Sequence, residues 1–188
     1  MKKQFIVMLV AVFSTVFSMQ AQTELSGVKL NSKLSIEGQN LILNGAGVRE
    51  KMWIDLYVGS LYLPKKSNNT AEILSPKTPK AVKLNIVSGM ISSSKMIAAL
   101  NEGMEKSTNG NTAQFKDEMA KLISFFKEEI SKGDDFTLVF VPGTGIVAFK
   151  NGVKKGVVEG DDFQKAFFGI WLSNNPVDKD LKKDMLGK

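Results

Sequence analysis

From Leu43 to Lys65 the chain reads LNGAGVREKMWIDLYVGSLYLPK, and this stretch constrains the fold more than any other. Its residues alternate in character with the period of a strand, in which successive side chains point to opposite faces. Met52, Ile54, Leu56, Val58 and Tyr62 occupy even positions and suit a core. The odd positions carry Arg49, Lys51, Trp53, Asp55 and Tyr57, a mixture of charge and large aromatics. Such a strand either exposes its odd side to water or lines a cavity with it. NGAG reads as a turn leading in, with glycines free to take positive φ, and one or two long strands then run to Pro64.

The rest of the chain sorts into strands, helices, strands and helices. VKLNSKLSIEGQNLILNGAG supplies two or three short strands turned at EGQN, and AVKLNIV supplies another. Between the long stretch and AVKLNIV, KKSNNTAEILSPKTP makes a surface connection around a short helical turn. Ser92 or Ser93 can cap a helix whose Met96, Ile97, Leu100 and Met104 form one apolar stripe. A second helix is predicted from Thr112 to Ser131, because Phe115, Met119, Leu122, Ile123, Phe126 and Ile130 recur at helical spacing.

FTLVFVPGTGIVAFKNGVKKGVVEG then reads as three strands turned at PGTG and KNG. The GTG in it lacks a third glycine and leads into a strand, so it is a hairpin rather than a phosphate loop. A helix over Asp161–Leu172 buries Phe163, Phe167, Ile170 and Trp171, and an amphipathic tail, DKDLKKDMLG, follows. This order is that of an α+β fold, a mostly antiparallel sheet with helices packed on it, and residues 22–188 read as a single domain.

Residues 1–21 have the pattern of a secretory signal peptide: Lys2 and Lys3, an apolar run from Gln4 to Ser18, and a small residue at Ala21. The product is expected to be exported, periplasmic or secreted, and soluble, with no membrane span after cleavage. The chain contains no cysteine and no histidine. Disulfides, thiol nucleophiles, imidazole chemistry and the usual zinc sites are thereby excluded, and no metal or cofactor is expected. The net charge of +6 is spread thinly, with no Lys/Arg block longer than two, which does not suit nucleic acid.

Arg49 is the only arginine in the sequence. A guanidinium offers a planar fork of donors that matches a carboxylate or phenolate. It either serves that purpose or pairs with a nearby acid such as Asp55. Tyr57 falls on the same strand face with Trp53 between them, and Asn101 lies beside the apolar stripe of the first helix. The pairs Asp134-Asp135 and Asp161-Asp162 sit at element boundaries beside glycines, where capping accounts for them.

Taken in order, LNGAGVREKMWIDLYVGSLYLP, KMIAALNEGM and the long segment from GDDFTLVFVPGTG to KKDMLG resemble the bacterial chalcone isomerase-like family, from about Leu43 to Gly187. The resemblance implies an open-faced β-sandwich, a large antiparallel sheet with a layer of helices on one face and a cleft between them. Plant enzymes of this superfamily close a chalcone phenolate onto its enone, an isomerase (intramolecular lyase) reaction. Related non-catalytic members resemble fatty-acid binders that hold a carboxylate with an arginine and a tyrosine.

Residue by residue, the family arginine corresponds to Arg49, a strand threonine to Tyr57, and a helix asparagine to Asn101. A tyrosine seven residues before that asparagine corresponds to Ser94, and a substrate-contacting hydroxyl on the late helix falls near Ile170. Arg49, Tyr57 and Asn101 are therefore the implied catalytic set, with Ser94 and Ile170 added as ligand-binding positions. Serine in place of tyrosine removes a long phenol donor, and losing one oxyanion donor commonly costs about 10²–10³ in rate. The expected function is thus binding of a small apolar carboxylate or phenolic ligand at Arg49. Chalcone-to-flavanone isomerisation is the alternative, and a non-catalytic interaction protein of the envelope comes third.

Overall fold

The computed structural model describes residues 24–188, and the leader expected over residues 1–21 lies outside the described residues. A small hairpin, β1 (Glu24–Leu25) and β2 (Val28–Lys29), precedes the main sheet. Seven strands follow: β3 (Lys33–Ile36), β4 (Gln39–Lys51), β5 (Ile54–Leu63), β6 (Lys80–Ile86), β7 (Asp135–Val141), β8 (Gly145–Lys150) and β9 (Val153–Val158). They lie in chain order and each pairs antiparallel with the next, so the sheet is one curled meander, a half-barrel. The helices α1 (Thr70–Ile73), α2 (Ser93–Ser107) and α3 (Lys116–Ser124) sit in the connections flanking β6. After β9 come α4 (Asp161–Leu172) and α5 (Lys179–Met185).

The larger core lies between the helices and one face of this sheet. Tyr57, Leu61, Leu84, Phe136 and Leu138 from the strands meet Met96, Leu100, Phe163, Phe167 and Trp171 from the helices. The other face buries a smaller set, Leu41, Tyr62, Ala81, Val139 and Val147. The α+β architecture with helices on one face is therefore present. Along β5 the helix-facing residues are the odd ones, Tyr57, Leu61 and Leu63. Val58 and Tyr62 are buried on the opposite side, but Met52 and Ile54, expected in a core, are exposed.

Two features of the long stretch differ from expectation. NGAG is not a turn, since β4 runs straight through it. Its glycines are needed for closeness: a Cβ at Gly45 would meet the Asp184 backbone oxygen, and one at Gly47 would lie 2.7 Å from the Asp184 Cβ. Absence of side chains lets α5 lie directly on the strand. The chain reverses instead at Met52 and Trp53, both at positive φ (52° and 60°), between paired Lys51 and Ile54. A two-residue hairpin loop with both residues left-handed normally uses Asn-Gly, and non-glycine residues there cost about 1–3 kcal/mol each. Nothing in the residue types Met-Trp signals a turn.

Two bulges complete this hairpin. One lies between the pairs Leu43–Tyr62 and Gly45–Leu61, and sets off Asn44. The Asn44 amide then donates to the Met185 carbonyl (2.9 Å) and accepts from the Ser67 backbone N–H (2.8 Å), fastening α5 and the α1 connection to the sheet. The second bulge lies between the pairs Arg49–Tyr57 and Glu50–Asp55, setting off Leu56.

The helix predicted from Thr112 to Ser131 is shorter than its apolar period. A 3₁₀ turn over Ala113–Phe115 leads into α3, which ends at Ser124. Phe126 and Ile130 remain buried, but on irregular backbone. The Phe126 and Glu129 carbonyls accept from the Ser93 hydroxyl and the Lys150 ammonium, which replaces helical bonding there. By contrast α4 spans the predicted Asp161–Leu172, because a nearly continuous apolar helix has one place to go, between sheet and outer helices.

Candidate functional site

Arg49 and Tyr57 face each other as directly paired residues of β4 and β5. They share a face because the chain folds back between them, with Trp53 at the hairpin tip rather than between them on one strand. Opposite pairs in an antiparallel ladder bring Cβ atoms within about 5 Å, so guanidinium and phenol are neighbours by construction.

Arg49 is aimed by α5. The Asp178 Oδ1 caps that helix, accepting from the backbone N–H groups of Asp180 (2.9 Å) and Leu181 (3.0 Å). Its Oδ2 accepts from Arg49 Nη1 at 2.8 Å, and Nη1 also donates to the Glu50 carbonyl at 3.0 Å. The acid partner is thus Asp178, 129 residues away in sequence, and not Asp55, which accepts from the Ser26 hydroxyl. Both bonds use one nitrogen. Among the described residues no hydrogen bond occupies Nε or Nη2, and that edge of the fork keeps its donors.

Tyr57 is buried, and its hydroxyl accepts from the Trp171 indole N–H at 3.1 Å. Burial pushes its pKa up to about 12, against smaller lowering effects of the Trp171 bond and the Arg49 charge. The hydroxyl is therefore neutral across the physiological range. With the indole supplying one hydrogen, its own remains to be given away.

These groups line a cavity of about 560 Å³ between sheet and helices, within the about 300–1,000 Å³ common for small-molecule pockets. Leu56 and Leu84 form its sheet side, Met96 and Leu100 of α2 its roof, and Ile170 and Trp171 of α4 its inner end. Lys51, Lys95 and Glu102 are the remaining charged lining residues. The Lys106 ammonium, 2.6 Å from Glu102, holds that carboxyl below its ordinary range, so it is ionised. Three cations and one carboxylate around apolar walls suit an anionic head on an oily body. Among the described residues no cluster of three or more acidic side chains could hold a metal ion.

Of the residues singled out in the sequence, Arg49, Tyr57 and Ile170 come together at this cavity. Ser94 and Asn101 do not: both are exposed, neither lines the cavity, and the Ser94 hydroxyl meets that of Ser92 at 3.0 Å. The next residues, Lys95 and Glu102, line it instead. Each residue of an α-helix turns about 100°, which is enough to carry Ser94 and Asn101 off the stripe that their neighbours present to the cavity. Asp178 and the Trp171 N–H carried no local signal, since their roles arise from contacts more than 100 residues away.

The sequence profile of the chalcone isomerase-like family matches residues 22–187. The chain belongs to the chalcone isomerase-like family. No curated protein sequence matches it. Among solved structures this chalcone isomerase-like chain is similar to a fatty-acid binding protein of Arabidopsis thaliana. The two share 16% identity with a TM-score of 0.68, over 86% of this chain and 92% of the other, which is a likeness of fold.

Proposed function

We propose that this chalcone isomerase-like protein is exported and binds a small apolar carboxylate or phenolate, of fatty-acid type, in the cavity. The observation that carries this reading is the pair of free donors at one wall of an apolar hollow, the Nε/Nη2 edge of Arg49 and the hydroxyl of neutral Tyr57. Asp178 holds the guanidinium in place without covering that edge, so the anion needs little reorganisation on arrival. Lys51 and Lys95 add long-range attraction, and the walls formed by Leu56, Leu84, Met96 and Ile170 take up the tail. The fatty-acid binding function of the Arabidopsis structure is in keeping with this reading.

Calorimetric titration with dodecanoate and with dodecanol tests it. The acid should bind well and the alcohol poorly, and Arg49→Ala should weaken dodecanoate by at least about tenfold, as expected for a charged hydrogen bond. Equal binding of the alcohol, or an Arg49→Ala affinity matching wild type, would remove the anchor.

Isomerisation of a chalcone would use the same donors on a phenolate or enolate. It would also call on Asn101 and Ser94, whose side chains are at the surface. A hydroxylated chalcone followed by its visible absorbance should cyclise no faster with the protein than without it. Acceleration abolished by Arg49→Ala would reverse the ranking.

A further inference from the structure

The described residues expose five large apolar side chains, and four of them gather at one place. Met52, Ile54 and Met90 line the mouth of the cavity, and Trp53 is the neighbour of two of them at the hairpin tip. The fifth, Val153, starts β9, an edge strand four strands away from β5. Trp53 is 92% exposed and Met52 78%, so neither contributes to the core. Yet these two residues hold the left-handed positions of the turn, where asparagine and glycine fit without strain. Folding alone does not account for a methionine and a tryptophan there.

Charge is distributed unequally around the same tip. Lys51 and Ile54 pair on the cavity side, and Lys95 lies across the mouth with its ammonium on the Met90 carbonyl at 3.0 Å. The acids of the tip, Glu50 and Asp55, pair with each other and do not line the cavity. An approaching surface on the cavity side thus meets apolar tips flanked by Lys51 and Lys95, while the one carboxylate of the lining, Glu102, is paired with Lys106. Tryptophan with methionine and isoleucine, ringed by lysine, is the composition that settles into the headgroup layer of a bilayer carrying negative charge.

We propose that the β4–β5 tip, Met90 and the flanking Lys51 and Lys95 form a docking surface for an anionic lipid bilayer, with the cavity mouth held against it. Docking follows from the rim alone, whereas loading of the cavity from the bilayer rests on the proposed carboxylate binding. An apolar acid leaving the bilayer at this point would enter without crossing open water, headgroup first toward Arg49.

Co-sedimentation with vesicles of phosphatidylglycerol and phosphatidylcholine tests the docking, using Trp53→Asn as the variant. Asparagine tolerates the positive φ, so the variant should melt no lower than wild type. Wild type should partition onto the mixed vesicles at least about tenfold better than Trp53→Asn, the scale expected for withdrawing one large aromatic. Binding should weaken with added salt and on pure phosphatidylcholine. Its fluorescence should shift to the blue through Trp53, since Trp171, the other tryptophan, is already buried.

Equal partitioning of wild type and Trp53→Asn overturns the proposal. So does a wild-type dimer in light scattering that Trp53→Asn converts to monomer, which would assign the tip to a second copy of the chain. Dodecanoate titration without vesicles reads the cavity separately. Trp53 does not line it, so failure of docking with normal titration, or the reverse, identifies which of the two ideas is wrong.

Discussion

Two cations stand on the helix-covered side of the same sheet, Arg49 on β4 and Lys80 on β6, and they meet their surroundings in opposite ways. Lys80 is fully buried, and its ammonium donates to the carbonyls of Thr78 (2.8 Å) and Ser75 (3.1 Å). The rings of Phe140 and Phe168 lie 4.4 Å and 5.4 Å away, so the charge is enclosed by protein. Arg49 lines the hollow and commits only Nη1, leaving Nε and Nη2 without a hydrogen bond among the described residues. Burial of a charge therefore does not mark a site by itself. Donors left over, next to space that a ligand can fill, distinguish the cation proposed to bind from the structural one.

The sharpest way to break this comparison is to exchange the consequences of losing each cation. Lys80→Met should cost about 3 kcal/mol, since two carbonyls lose their donor, and lower the melting temperature by several degrees. Its dodecanoate affinity should stay near wild type. Arg49→Ala should do the reverse, with the tenfold or greater loss of affinity predicted above. Its ion pair is 22% and 15% exposed at the two side chains, and Asp178 keeps its capping bonds to the Asp180 and Leu181 N–H groups without it, so the loss of stability should be the smaller of the two. If both variants lose stability and binding together, the distinction fails.

A smaller effect sharpens the anchor. Tyr57→Phe should weaken dodecanoate by about fivefold, the scale of one neutral hydrogen bond. The same change strips the Trp171 N–H of its acceptor, so calorimetry should be paired with a melting curve.

The comparison also has a signature in pH dependence. Desolvation pushes Lys80 down to about 7, with the Asp161 charge acting the other way. Below that pH the group is charged folded and unfolded, and the burial cost is fully present. As pH rises from about 7 toward the ordinary lysine range, the folded form sheds its proton first and stability increases. Above about 10 the trend turns, because burial holds Tyr57 and Tyr62 up near 12 while unfolded tyrosines ionise. Lys80→Met should flatten the rising limb between pH 7 and 9, and an unchanged slope would assign that limb to other groups.

Arg49 was legible because it is the only arginine; Tyr57 was picked out by alternation along one strand, whereas the hairpin between them is what puts the two on one face. The apolar periods also placed α4 and the β7–β9 meander, where local pattern and burial agree. Three things were not legible. Gly45 and Gly47 look like turn residues until α5 is seen lying on them. Met52-Trp53 has no turn chemistry, yet the hairpin reverses there under the pull of the paired strands. Ser94 and Asn101 sit one helical step from the residues that line the cavity, and resemblance of sequence does not resolve a rotation of that size.

What this sequence determined by itself is the set of parts: an antiparallel meander, apolar helices to cover it, and one guanidinium with a tyrosine eight residues on. Those follow from periodicity and residue type, which act over a few neighbouring residues. Only the tertiary structure decided that Asp178 aims the guanidinium, that the Trp171 indole engages the phenol, and that a hollow remains beside them. Such properties depend on distances between atoms far apart in the chain, and no local pattern encodes the space that packing leaves empty.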